Sequence, residues 1–245
     1  MTAARLLFAL FLSFAGSLSL AAPTQGTDYA LINPPQQPTT QGKVEVIEFF
    51  SYGCPHCFHM SPLLAEWKKK ELPANAVLIK VPVSFGRREW GQLVRAYYTL
   101  EATGDLERLD EKLFDAIHAK NQPLYDLDAL AAWAAQNGVD NNKFRAQFNS
   151  PEVSAKASRA EQLSRDYKIQ GIPTMVVAGK YRALGKDFPD MLRITRELVD
   201  QAAKGARDQE LIDTVEACAK LTEAQQKWLT TRLKTAAPQA LLVAD

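Results

Sequence analysis

The chain has 245 residues, 47% of them hydrophobic, with 29 Lys and Arg against 28 Asp and Glu. Such a length and composition suit an ordinary hydrophobic core, and the near balance of charge leaves no basic footprint for nucleic acid or an anionic membrane surface. Three cysteines, Cys54, Cys57 and Cys218, are far too few for a fold stapled by disulfides.

Residues 1–21 read as an export signal. One charge, Arg5, precedes the apolar run Leu6 to Phe14, and Ser19 with Ala21 fits a small-x-small cleavage site. The run is too short to span a membrane, so cleavage after Ala21 and a soluble mature protein are expected. Export places the remaining cysteines where disulfides persist. From Ala22 to Lys43 four prolines among Gln and Thr read as an extended arm, which Tyr29, Leu31 and Ile32 are expected to pin to the body.

Val44 to Phe50 is rich in β-branched and aromatic residues and reads as a buried strand that stops at Gly53. A helix is predicted to begin on Cys54 and continue to Lys70, since Pro55 suits its first turn, with Phe58, Leu63, Leu64 and Trp67 on the inner face and a kink at Pro62. Ala76 to Val83 reads as a second strand, so a βαβ crossover with parallel pairing follows. Between Arg87 and Lys168 only helical spacing recurs. One stripe runs Leu93, Val94, Tyr97 and Leu100 and is closed by Gly104; another runs Leu106, Leu109, Leu113, Phe114 and Ile117. Asp126 and Asp128 offer caps for Leu127 to Gln136, Phe144 and Phe148 mark a short helix, and Ser150 caps one opening at Pro151.

Strand signals return at Thr174-Met-Val-Val-Ala178, with a tight turn at Gly179-Lys180 before Tyr181-Arg-Ala-Leu184, and a closing helix is predicted from Phe188 to about Lys204. The fold class is therefore α/β: a thioredoxin-like sheet in residues 22–86 and 169–204, interrupted by an all-helical insertion in 87–168. Residues 205–245 read as an appended helical pair, its first helix lined by Leu211, Ile212, Val215 and Leu221, ending in an apolar tail. Cys218 lies there and is expected to be a buried, inert thiol.

The chemistry is placed at Cys54-Pro-His-Cys57. At the N-terminus of a helix, unpaired N–H groups and the dipole stabilise a Cys54 thiolate, and protonated His56 adds to this. A zinc site needs two further ligands; His56 and His59 are near, but there is no second Cys-x-x-Cys. A purely structural disulfide closing so small a ring removes little chain entropy. A redox-active pair is the favoured reading. Two other places support it. Glu48 and Lys80 are charges inside apolar strands, where they either form a structural ion pair or take up the proton of Cys57. Pro173, in Gly171-Ile-Pro-Thr174, marks a strand start where a cis bond is plausible.

Together Glu48-Phe-Phe-Ser51, Cys54-Pro-His-Cys57, Lys80-Val-Pro-Val-Ser-Phe85 and Gly171 to Tyr181 resemble the DsbA family of exported thiol oxidases, over roughly Tyr29 to Lys204. The resemblance implies a periplasmic thiol:disulfide oxidase in which Cys54 is the exposed nucleophilic sulfur and Cys57 the buried partner. Pro55 and His56 tune its oxidising power. Pro173 is cis against the disulfide, and Ile172, Pro173 and Thr174 hold an extended substrate. Glu48 and Lys80 match the family's buried charged pair. Reduced exported polypeptides are the implied substrates and a DsbB-like, quinone-linked membrane oxidase the implied reoxidant, with a monomeric protein that needs no metal and no cofactor beyond the Cys54–Cys57 disulfide. Tyr52-Gly53 departs from the more aromatic approach to the motif in some relatives. The alternatives are a disulfide isomerase or reductase, which usually needs a dimerisation domain that the arm is too short to form, and a non-catalytic peptide-binding chaperone module.

Overall fold

The computed structural model describes residues 22–219 together with Gln225, Lys227 and Thr231. The expected export signal, the apolar tail and the side chain of Cys218 lie outside the described residues. Among the described residues five strands form one sheet: β1 (Tyr29–Leu31), β2 (Val44–Phe50), β3 (Ala76–Pro82), β4 (Thr174–Val177) and β5 (Tyr181–Ala183), in the order β1-β5-β4-β2-β3. The β2–β3 pair is parallel, as the crossover predicts, and every other pair is antiparallel.

Strand β2 is buried at every position after Val44 because both faces of the sheet are covered. Val46 packs with Met60, Leu64 and Trp67 of α1 (Pro55–Lys70) and with Leu198 and Val199 of α7 (Phe188–Ala219). Ile47 and Phe49 face the other way, toward Ala160, Tyr167 and Ile169. Alternation then puts Glu48 on the α1 face between Val46 and Phe50, directly opposite Lys80 in the parallel register. Position and sequence together force two charges into the core under α1.

The insertion comprises α2 (Arg88–Thr103), α3 (Leu106–His118), α4 (Leu127–Gln136), α5 (Asn141–Phe148) and α6 (Pro151–Asp166). Gly104 closes α2 in the left-handed region at φ 83°, which glycine adopts without a Cβ clash. Asp126 and Ser150 cap α4 and α6 by accepting from the Ala129 and Val153 amides. Asp128 is not a cap; it accepts from the Arg145 guanidinium at 2.7 Å. Phe50, Tyr52, Cys54 and Cys57 share one apolar cluster with Leu93, Tyr97, Leu113 and Phe114 of α2 and α3. The insertion is therefore packed onto the cysteine motif itself.

Three expectations are corrected. The arm carries strand β1, paired with β5, and its anchors are Tyr29 and Ile32, while Leu31 is 44% exposed; three residues are too few for a period to show. On α1 the inner positions are Cys57, Met60, Leu64 and Trp67, spaced three and four apart, and Leu63 falls off that row at 36% exposure. The closing helix does not end near Lys204 but runs through Gly205 to Ala219. A single helical glycine weakens a helix by roughly 1 kcal/mol relative to alanine, too little to terminate it. Leu211 and Ile212 on this continuation are 65% and 50% exposed. No described helix is long and apolar enough to cross a membrane.

Candidate active site

Cys54 is the N-cap of α1, with extended backbone at φ −97° and ψ 117° and Pro55 in the first helical turn. No acidic residue occupies that turn, so nothing competes with the cysteine for the helix's free amides. The Cys54 thiol is lowered to about 6, first by the hydrogen bond that the Cys57 thiol gives it. Burial opposes this, and the Cys57 and His56 amides and the His56 charge reinforce it. At neutral pH the Cys54 thiolate then exceeds its thiol by about tenfold. Cys57 has no exposure at all, and burial together with the Cys54 sulfur pushes its thiol far upward. Two cysteines one helical turn apart thus hold their protons in opposite ways.

Cys54 was expected to be exposed, yet it keeps only 6% of its surface. It lies under the segment before β4 and against the insertion: its sulfur is 3.8 Å from the Ile172 carbonyl oxygen. The Ile172–Pro173 bond is cis. Thr174 turns its hydroxyl back to the Gly171 carbonyl at 2.8 Å, and Ile172 and Pro173 stay half-buried beside the cysteine. Pro55 and His56 are exposed at the helix start.

Glu48 and Lys80 do meet, at 3.7 Å, an ion-pair distance too long for a hydrogen bond. The nearer partner of Lys80 is Asp110 on α3, at 2.6 Å. Asp110 also accepts from the Tyr52 hydroxyl at 2.5 Å. The expected pair is therefore one part of a four-member cluster, and the sequence reading missed Asp110. A signal for it existed. Asp110 stands four residues after Leu106 and four before Phe114, inside the apolar stripe of α3 rather than on its solvated face. Burial raises the Glu48 carboxyl to about 7, Lys80 offsets part of that and the Asp110 charge adds to it. Desolvation pulls the Lys80 pKa down, but the two carboxylates hold it above the ordinary value.

Two further side chains of the insertion touch the motif. A Cβ at Gly53 would lie 2.4 Å from Trp90 Nε1, so glycine is required by the indole packed on it. His118 donates its Nε2 proton to the Tyr52 carbonyl at 2.7 Å, since a carbonyl can only accept, and stacks on Phe58 at 5.1 Å. The Tyr52-Gly53 approach to the motif is thus fitted to Trp90, Asp110 and His118. Among the described residues no three His, Cys, Asp or Glu side chains converge as metal ligands.

Residues 45–195, more than half of the chain, match the family model of the DSBA-like thioredoxin domain. The chain belongs to the DsbA family. The thiol:disulfide interchange protein DsbA of Bordetella parapertussis is 39% identical over 212 residues, which cover 83% of this chain and 98% of that protein. DsbA of Pseudomonas aeruginosa PAO1 is 34% identical over 181 residues, covering 72% of this chain and 85% of its own. Among solved structures, the oxidoreductase DsbA from Xylella fastidiosa superposes with a TM-score of 0.71 at 35% identity, covering 75% of this chain and 99% of its own. The DsbA architecture, a thioredoxin fold with a helical insert, is the one described above, and the chain is a thiol:disulfide oxidoreductase of the disulfide-forming type.

Proposed function

We propose that this chain oxidises paired thiols of exported polypeptides in the periplasm, by exchange through a Cys54–Cys57 disulfide. A substrate thiolate attacks the Cys54 sulfur, the Cys54–Cys57 bond breaks, and Cys57 leaves and takes a proton. A second substrate thiolate then attacks the substrate sulfur of the mixed disulfide and expels Cys54 as a thiolate. Two electrons pass from the substrate to the cysteine pair. Cys54 is the nucleophile and leaving group, Cys57 the resolving partner, and Pro55 and His56 set the electrostatics of the helix start. Ile172, Pro173 and Thr174 border the sulfur and offer backbone groups to an extended substrate. Glu48, sealed beside Lys80 and acting on the Cys57 thiol, gives the proton to Cys57 and takes it back on reoxidation.

The observation that carries this reading is the placement of Cys54 at an uncontested helix N-terminus while Cys57 is fully buried. At neutral pH a Cys54 thiol lowered to about 6 from 9.0 favours the reduced state by about 1.4 kcal/mol, or about 30 mV toward the oxidising side, and by more as pH rises toward 9. Reoxidation falls to a DsbB-like quinone-linked membrane protein, and the working form is a monomer exported by residues 1–21. Residues 22–86 and 169–204 form the sulfur-bearing domain and 87–168 the insertion that frames it; the boundary at 204 falls inside α7.

The test is oxidation of a reduced dithiol peptide, with the redox equilibrium of the pair against glutathione measured alongside. Oxidation by the wild-type chain, its loss in Cys54→Ser, and an equilibrium lying toward the reduced protein are the expected results. Activity retained in Cys54→Ser removes the proposed nucleophile.

A further inference from the structure

The two carboxylates around Lys80 are not equivalent. Glu48 keeps 1% exposure, and its Oε2 has no hydrogen-bond partner among the described residues. The side chains of Lys80 and Asp110 keep 16% and 19%, and both line a cleft of about 630 Å³ between α1, α3 and β3. Lys80 lies within hydrogen-bond reach of Asp110 but not of Glu48. Its ammonium also sits 4.5 Å from the Phe50 ring centroid, which limits where it can move. The Tyr52 hydroxyl fixes Asp110 from the other side. Lys80 is thereby drawn from Glu48 toward the insertion.

We propose that Asp110 is a positioning residue for the redox step: by holding Lys80 away from Glu48, it leaves Glu48 able to carry the proton that Cys57 gains and loses. This rests on the exchange reaction proposed above. When the Cys54–Cys57 bond breaks, the Cys57 sulfur takes the electron pair and the Glu48 carboxyl gives it a proton; on reoxidation the proton returns. Were Lys80 paired closely with Glu48, the carboxylate would be stabilised and the proton donor lost at neutral pH. The cleft brings solvent to Lys80 and Asp110, so the cluster can exchange protons without opening the cysteine side.

Every charged or titratable group around Glu48 enters this balance. Lys80 comes from β3, Asp110 from α3, Tyr97 from α2, Tyr52 from the loop after β2, and Cys57 from α1. Glu107 and Glu111 of α3 face Lys68 and Lys69 of α1 along the cleft and oppose one another in sign. Asp110 is the acidic group in direct contact with Lys80.

The test measures the rate at which a reduced dithiol peptide reduces the oxidised protein, from about pH 5 to about pH 9, as a variant-to-wild-type ratio that cancels ionisation of the attacking thiol. In Asp110→Asn the limb on which activity falls with rising pH moves to lower pH by about one unit, leaving the rate at neutral pH about fivefold down. Asp110→Glu restores it. The Cys54 titration, followed by thiolate ultraviolet absorbance, stays in place, because Asp110 is not among the groups acting on that sulfur. Tyr52→Phe deletes one oxygen, strengthens the Asp110 charge and moves the limb the opposite way; it serves as the test if Asp110→Asn does not fold. A wild-type limb in Asp110→Asn, a Tyr52→Phe shift of the same sign, or a Cys54 titration displaced as far as the limb overturns the inference and leaves the exchange reaction standing. Failure of the wild-type chain to oxidise the peptide overturns both.

Discussion

Around the two cysteines, the sheet-bearing part of the chain presents sulfur, a helix terminus and the Ile172 carbonyl, whereas the insertion presents a carboxylate, an indole and an imidazole. The first set is local: Cys54, Pro55, His56 and Cys57 meet the amides of their own helix. The second set is assembled from α2 and α3 and reaches the same few atoms from more than thirty residues away along the chain. The difference separates what makes exchange possible from what tunes it. A helix N-terminus lowers one thiol wherever it occurs, but the proton balance at Glu48 depends on Lys80 and Asp110 together.

The contrast can be broken first at Glu48. Its folded carboxyl titrates at about 7 against 4.5 for an ordinary one. The protonated state therefore stabilises the fold fully below 4.5, and that contribution is lost as pH rises through 7. Glu48→Gln has no such loss. Its stability relative to wild type should grow by about 3 kcal/mol between about pH 4.5 and about pH 8, read from urea midpoints. A pH-independent difference would mean that Glu48 is as easily ionised in the fold as in water.

The second way is steric, at the point where the insertion touches the motif. Gly53→Ala places a methyl group 2.4 Å from Trp90 Nε1 and should destabilise the protein by about 1–3 kcal/mol. Trp90→Ala in the same chain removes the obstacle. The double variant should then lose at least about 1 kcal/mol less than the sum of the single ones. Strict additivity would show that the loop yields without involving the indole.

These two sites also show what could be read from the sequence. Cys-x-x-Cys after a strand, Pro55 in a first turn, a proline before β4 and two charges in apolar strands each violate or satisfy a local rule, so they announce themselves. Helix caps at Asp126 and Ser150 did so too. Asp110 broke a rule quietly, as one acid within an apolar stripe, and only the tertiary approach of α3 to Lys80 and Tyr52 gives it partners. Trp90 and His118 carried no signal, because a lone aromatic on a helix is most often core. Strand β1 was too short for a period, and α7 ran on because Gly205 weakens a helix without ending it.

The central claim is that this fold is more stable with Cys54 and Cys57 reduced than joined. The Cys54 thiol is depressed to about 6 from 9.0. Its contribution is therefore complete above 9 and is lost as pH falls through 6. Paired denaturation curves of the reduced and oxidised protein across this range test the claim directly. The reduced form should be the more stable at about pH 8, with the gap closing toward about pH 5. An oxidised form that outlasts the reduced one at about pH 8 would contradict the account.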